Sequence, residues 1–232
     1  MYTFEHVSTS KGRQAAFGLR YEVYCKEKMW LDPNKYSNML EKDEHDEKSE
    51  TFLAYNSEME KTVGTARLII SDTDAHPLHI VKHPSIDNSF NTFNSVEISR
   101  MAILESARQG NIFIGLIRML FRHILENFSD YDYIYFSVEE RFLKKVNQLG
   151  FEFIPFAPTA LWYCDQLVPA RQVISEMDEC VKRNNPEFHR WLWQDPSTMS
   201  NDESFIYFLS AKRKLKHKTV KRESYQSVLY AN

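Results

Sequence analysis

The chain has 232 residues, 43% of them hydrophobic and 26% charged, which is the balance of an ordinary globular protein and excludes wholesale disorder. That length suits one compact domain with an appendage better than two average domains. A net charge of −3 conceals seven Lys/Arg and no acid between Lys212 and Arg222, so the rest of the chain is distinctly acidic and general nucleic-acid binding is not expected.

The first fourteen residues are polar and lack the apolar segment of a secretory signal. Residues 12–30 predict a helix with Ala16, Leu19 and Val23 on one face and Phe17, Arg20 and Tyr24 on the next. Residues 33–50 read as an irregular, acid-rich connection, and 51–55 and 62–70 as the two strands of a hairpin. A long polar loop follows over 71–92; loops of that length in compact domains are more often functional than idle. Residues 93–103 predict a third strand with a charged centre, 112–128 a strong helix, and 131–138 a buried strand. Those three elements form one βαβ crossover, so the two strands run parallel. A further helix over 139–149 closes at Gly150, 151–154 and 160–164 read as last strands, and 168–183 reads as a helix.

The outcome is an α/β domain over 1–194: a mixed, mostly antiparallel sheet with a central parallel crossover and helices on both faces. A polar-to-basic extension over 195–232 follows, with one helix opened by the capping pattern Ser200-Asn-Asp-Glu203. The longest apolar stretch, 112–121, is broken by Arg118 and falls far short of the roughly 20 residues a bilayer needs. Cys25, Cys164 and Cys180 are odd in number and widely spaced, which predicts neither a disulfide framework nor a zinc site and suits a reducing cytoplasm. No metal is expected. Sixteen Phe, 12 Tyr and 4 Trp against 6 Gly suggest a core, or a pocket, rich in rings.

The sharpest chemical feature is Glu97-Ile-Ser99-Arg100 within a central strand. Strand alternation puts Glu97 and Ser99 on one face and Ile98 and Arg100 on the other. A carboxylate and a guanidinium mid-sheet are costly unless paired or set in a polar cleft. They are either a structural pairing with the 41–50 loop or a carboxylate in a cleft poised as a general base. Arg20, Asp43, Asp46, Arg67 and Arg100 are a second set: one acidic loop and three cations from three elements, able to form a single network.

Leu19-Arg20-Tyr21-Glu22-Val23-Tyr24 followed by Trp30, then Glu41-x-Asp43-x-x-Asp46, Gly64-Thr-Ala-Arg67-Leu and Glu97-Ile-Ser99-Arg100, resemble in order and spacing the acyl-homoserine-lactone synthases. Tyr21 to Glu27, Val138-Glu-Glu-Arg-Phe-Leu-Lys-Lys, Leu149-Gly-Phe, Phe153-Ile-Pro155-Phe-Ala-Pro158, Tyr163 and Asn185-Pro-Glu-Phe188 resemble a sister group more closely. That group comprises the N-acyl amino acid synthases and exosortase-associated acyltransferases of the GNAT superfamily. The resemblance spans roughly residues 15 to 190.

It implies a GNAT-like fold and transfer of a fatty acyl group from a thioester to the amine of a small amino acid. The donor would be acyl-phosphopantetheine on acyl carrier protein, or acyl-CoA, with no permanently bound cofactor. Arg108-Gln-Gly-Asn111-Ile-Phe-Ile-Gly115 departs from the glycine loop that cradles a CoA pyrophosphate, which favours the carrier protein. The resemblance makes Glu97 the base that deprotonates the amine, open to a tunnel for pantetheine. Ser99 would contact the amine or departing sulfur, and a backbone N–H between Met101 and Ile103 would meet the developing oxyanion. Arg20, Tyr24, Trp30, Asp43, Asp46, Arg67 and Arg100 would shape the acceptor end. Since carrier proteins are acidic, Arg108, Arg118, Arg122, Arg141, Lys144 and Lys145 are the docking candidates. The alternatives are a homoserine-lactone synthase using S-adenosylmethionine, a CoA-dependent N-acetyltransferase, and a non-catalytic lipid- or carrier-binding module.

Overall fold

A computed structural model describes residues 2–73, 76–87, 89–108 and 111–194. The expected extension over 195–232, with its helix from Ser200, lies outside the described residues, as do Gln109 and Gly110.

Strand β1 (Tyr2–Val7) leads into α1 (Ser10–Tyr21), capped by Thr9, whose hydroxyl accepts from the Gly12 N–H at 3.2 Å. The helix does not end at Tyr21: Glu22–Glu27 continue it as a wider π-helical turn, a form common at functional sites. Then come β2 (Ser49–Asn56), β3 (Lys61–Ser71), β4 (Ser95–Ile103), α2 (Ile112–Asn127), β5 (Tyr133–Val138) and α3 (Glu140–Asn147). Short β6 (Ile154–Pro155) and β7 (Ala160–Trp162), long β8 (Asp165–Val173), α4 (Ile174–Asn184) and α5 (Pro186–Trp193) complete the described chain. The sheet runs β1-β2-β3-β4-β5-β8-β6, with β7 hairpinned on β8. Among the described residues only β4 and β5 are parallel, and α2 makes the crossover between them, as the sequence predicts.

Helix α2 lies on one face and α1 on the other. Small residues let α2 sit directly on the backbone: a Cβ at Gly64 would come within 2.5 Å of Ile112 and 3.2 Å of Ala54. On the opposite face Val7, Ala16 and Leu53 pack together beneath α1. Many of the rings are core. Phe121 stacks on Phe151 at 4.0 Å, Phe153 meets Phe136 edge-on at 4.2 Å, and Phe188 closes the group from α5. Each such burial contributes roughly 1.5–3 kcal/mol.

Three elements differ from expectation. The strand expected over 151–154 shrinks to the two-residue β6 at Ile154–Pro155. β1 goes unseen in the sequence because an edge strand alternates weakly; of its six residues only Val7 is buried. The expected helix from Val168 is instead the second half of β8, and α4 begins only at Ile174. Residues 168–173 pair in register with β5, from Val168 opposite Val138 to Val173 opposite Tyr133, a long-range partnership that overrides their helical spacing. Among the described residues no helix is long and apolar enough to cross a membrane, and the three cysteines are free thiols.

Candidate active site

β4 and β5 pair at only three positions: Ser95 with Tyr133, Val96 with Ile134, and Glu97 with Tyr135. Beyond Glu97 the two strands part. β4 therefore leaves Ile98 to Met101 and Ile103 half-exposed although it occupies the middle of the sheet. The Leu104 N–H donates to the Val63 carbonyl of β3 at 3.0 Å, so strand alternation turns the backbone groups of Met101 and Ile103 the other way, into the wedge. Two contacts agree with that orientation. The Met101 carbonyl accepts from the Tyr24 hydroxyl at 3.0 Å, and the Ile103 carbonyl from Arg108 Nε at 3.1 Å.

A bulge breaks β4 here. Arg67 faces Ser99 and Thr65 faces Ala102, so Arg100 and Met101 share one position opposite β3. Arg100 takes a left-handed φ of 50°, a strained choice for a non-glycine residue and one typical of functional sites. The bulge overturns the expected alternation: Arg100 lies on the same side as Ser99 and Arg67, and both guanidiniums reach Asp43.

Three guanidiniums and three carboxylates interlock. Arg20 forks onto Asp46 at 2.7 and 3.0 Å and also binds Glu41. Arg67 binds Asp43 at 2.6 Å and Ser99 at 3.0 Å, with Asp46 at 3.1 Å. Arg100 binds Glu41 at 3.1 Å and Asp43 at 2.9 Å. Arg20, Glu41, Asp46 and Arg67 are all buried. Burial pushes the Asp43 carboxyl up, but the hydrogen bond from Arg67 and the charges of Arg67, Arg100 and Arg20 overcome it and hold it well below the ordinary range. Asp46 is held down in the same way by Arg20 and Arg67. The acid-rich loop is pinned by three arginines from α1, β3 and β4.

Glu97 is the fourth acid, without a guanidinium of its own, and burial pushes its carboxyl up to about 7. The expectation that it opens onto a tunnel is corrected: it is 2% exposed, sealed by the turn at His79–Lys82. The Ile80 N–H donates to it at 2.8 Å, and His79 Nδ1 stands 3.9 Å from its other oxygen. On its far side, His79 Nε2 meets the Tyr163 hydroxyl at 2.9 Å. Burial, with the Arg100 and Arg67 charges adding, holds the His79 imidazole far below its usual value, so it is neutral. Its ring is stacked at 4.8 Å on Trp162. Tyr163 and Cys164 form the two-residue turn between β7 and β8, both with positive φ (53° and 63°), where Asn and Gly are the usual choices. That strained turn delivers the half-exposed Tyr163 to the buried His79, and the Arg100 guanidinium lies over the Tyr163 ring at 5.3 Å.

Trp30 stacks on Tyr24 at 5.7 Å. Of the docking candidates, Arg141 and Lys144 are exposed on α3, paired to Glu139 and Glu140, and Lys145 is exposed beside them. Arg108 turns inward to Glu27 and the Ile103 carbonyl. Arg118 departs from expectation: it is buried, donates to the Leu192 carbonyl at 3.2 Å and stacks over Trp191 at 4.9 Å. Arg122 likewise lies over Trp193 at 5.6 Å. Both tie α5 to α2 and leave α3 as the basic surface. Gly115 sits inside α2, where a Cβ would strike Phe4, so it serves packing and not a phosphate loop.

Sequence reading passes over His79, whose loop carries no periodicity, and over Glu41 as an individual site residue.

The family model described as N-acyl amino acid synthase FeeM matches residues 15–154. The solved structure of FeeM, from uncultured soil microbes, is 15% identical, covering 79% of this chain and 97% of its own, with a TM-score of 0.56. The CoA-dependent acyl-homoserine lactone synthase BjaI, solved with SAM and isopentyl-CoA, is 16% identical over 81% of this chain and 90% of its own, at a TM-score of 0.62. An acyl-CoA N-acyltransferase from Pseudomonas aeruginosa is 17% identical over 74% and 98%, at 0.50. These likenesses show a GNAT-like fold. A comparison with curated protein sequences found no match.

Proposed function

The chain belongs to the N-acyl amino acid synthase FeeM family, and from that premise we propose that it moves a fatty acyl group from acyl carrier protein to the amine of an amino acid. The observation that carries the reading is the wedge where β4 leaves β5, flanked by the Glu97 system on one strand and by two inward backbone N–H groups on the same strand. Parallel strands end there, and the helices that follow them, α2 and α3, start at the same end. Phe113 and Phe142, in edge-on contact at 5.0 Å, give that end a half-exposed apolar lining suited to an acyl chain.

An amino acid's α-amine is protonated at neutral pH and attacks only after losing a proton. Glu97, half ionised near pH 7, takes it up. Because the carboxylate is sealed, the proton travels by way of Tyr163 and His79, whose Nδ1 closes its 3.9 Å gap to Glu97 for the last transfer: each receives one proton on the substrate side and releases one inward. The neutral amine then adds to the thioester carbonyl, and the N–H groups of Met101 and Ile103 meet the oxyanion. The C–S bond breaks, the C–N bond remains, and the thiolate leaves with the proton shed by the new amide nitrogen. The guanidinium network fixes the acceptor end.

A carrier-protein donor is preferred to CoA because Asn111 or Ile112 stands where a pyrophosphate loop has its first glycine. An S-adenosylmethionine acceptor is the rival reading, favoured by the likeness to BjaI in fold. The purified chain is incubated with carrier-bound or CoA-bound acyl chains and with amino acids or S-adenosylmethionine, and products are read by mass spectrometry. N-acyl amino acids are expected from the carrier-bound donor. Homoserine lactones, or no product, would refute the reading.

A further inference from the structure

On the face of the sheet opposite the guanidinium network, the geometry points to a divalent transition-metal site, suited to zinc, formed by His6 of β1, Glu50 of β2 and His123 of α2. The three offer one ligand atom each, all within 4.8 Å of one another. His6 Nε2 stands 3.6 Å from Glu50 Oε2. Two ligands of one tetrahedral zinc, at bond lengths of about 2.0–2.2 Å, are about 3.4 Å apart, so this pair already has the required spacing.

Glu50 Oε2 and His123 Nε2 are buried and in ion-pair contact with each other, and among the described residues neither makes a hydrogen bond to any other group. Three ligand-type atoms drawn from three separate elements to one point are the arrangement a cation satisfies. The Glu50–His123 contact is tighter than two ligands of one ion allow, so this pair parts on loading.

Both imidazoles are held in place by rings. His6 stacks on Phe52 at 5.0 Å, and His123 meets the same ring edge-on at 5.3 Å. His123 also has a polar neighbour behind it: the Asn127 amide lies 3.3 Å from Nδ1. The same Asn127 nitrogen donates to the His123 carbonyl at 2.9 Å, which fixes the amide beside the ring. Two imidazoles and one carboxylate, with a fourth position open to water, favour zinc over calcium or magnesium, which prefer oxygen cages. The charge of Arg13 reaches His6 and opposes the ion, so affinity in the micromolar range is expected rather than that of a closed four-ligand site. The ion would fasten the edge strand β1 to β2 and α2. The competing account is a plain His123–Glu50 hydrogen bond, with His6 a bystander.

The test uses the full chain without an affinity tag, stripped with a chelator and titrated with zinc against a chromophoric competitor. One ion per chain is expected. A hundredfold excess over Kd should raise Tm by about 5–10 °C. His6→Gln, at an exposed edge position, should weaken binding about tenfold or more with an unchanged circular dichroism spectrum, and His123→Gln should do the same. Magnesium and calcium should not compete. The site is refuted if zinc fails to saturate, or if binding persists unchanged in His6→Gln, which would assign it to other thiols or imidazoles. Acyl transfer plays no part in this readout, so the two proposals fail independently.

Discussion

The two faces of the central strands are built on opposite terms. Toward α2, Ala54, Gly64, Ile112 and Leu116 are close-packed hydrocarbon. Toward α1, the same sheet carries Arg67, Glu97, Ser99 and the bulged Arg100 against Arg20, Glu41, Asp43 and Asp46. An ion network of that kind is weak support for stability, since well-packed apolar residues of similar volume often do as well or better. What it supplies is a fixed arrangement of charge beside a gap in the sheet. The difference teaches that one face holds the fold together while the other is held in place by it.

The largest effect should come from the acid that has no guanidinium of its own. Glu97→Gln should keep the fold and cut acyl transfer about 10²- to 10⁴-fold, the usual worth of general-base help. In the wild type, turnover should rise with pH through about 7 as the carboxyl ionises, and the variant should lack that limb. Stability should move the opposite way. A carboxyl lifted from 4.5 to about 7 in the folded state favours folding while protonated, and that advantage is lost as pH rises from 4.5 to 7. Denaturant midpoints across that window should fall in the wild type and stay flatter in Glu97→Gln. Wild-type turnover in the variant would remove Glu97 from the chemistry.

Next in size is a substitution that breaks the ionic face alone. Arg20→Met leaves Glu41 and Asp46, both buried, short of a partner, and should cost about 3–5 kcal/mol in chemical denaturation. Because the cost is uncompensated negative charge, it should shrink as the pH is lowered toward the ordinary carboxylate range. Gly64→Ala is the matching break on the apolar face. Its methyl would press on Ile112 and Ala54 and should cost about 1–3 kcal/mol at every pH, with activity per folded molecule kept. A pH-dependent deficit in Gly64→Ala, or a pH-independent one in Arg20→Met, would dissolve the distinction between the faces.

The βαβ crossover was readable because α2 repeats apolar residues at helical spacing and both flanking strands are buried, signals that survive without neighbours. Arg20, Asp43, Asp46, Arg67 and Arg100 were readable as a set because charges placed mid-strand and mid-helix need partners. The side taken by Arg100 was not, since a bulge is a property of two strands in register and strict alternation puts the residue on the wrong face. Nor was the sealing of Glu97, which depends on a loop with no period folding its His79–Ile80 turn over the strand. β1 was hidden because an edge strand buries too little to show a pattern, and the second half of β8 because its pairing with β5 is long-range while its first-turn Pro169 suits a helix start.

The smallest effect belongs to a surface that takes no part in either face. Arg141 and Lys144 are exposed and, among the described residues, pair only with Glu139 and Glu140 at the start of α3, so reversing both charges should leave the fold and its circular dichroism spectrum unchanged. An acidic carrier protein approaching the wedge would meet this helix, because α3 starts where β5 ends. Arg141→Glu with Lys144→Glu should therefore raise KM for the acyl-carrier donor several-fold, leave KM for acyl-CoA alone, and flatten the salt dependence of the former. Arg118 and Arg122 make the internal control. They carry the same charge on a neighbouring helix but are engaged with Trp191 and Trp193, so Arg122→Gln should change stability rather than donor KM. If both donors respond alike to the α3 reversal, the helix is reading the phosphopantetheine arm they share. If neither responds, the carrier protein docks elsewhere.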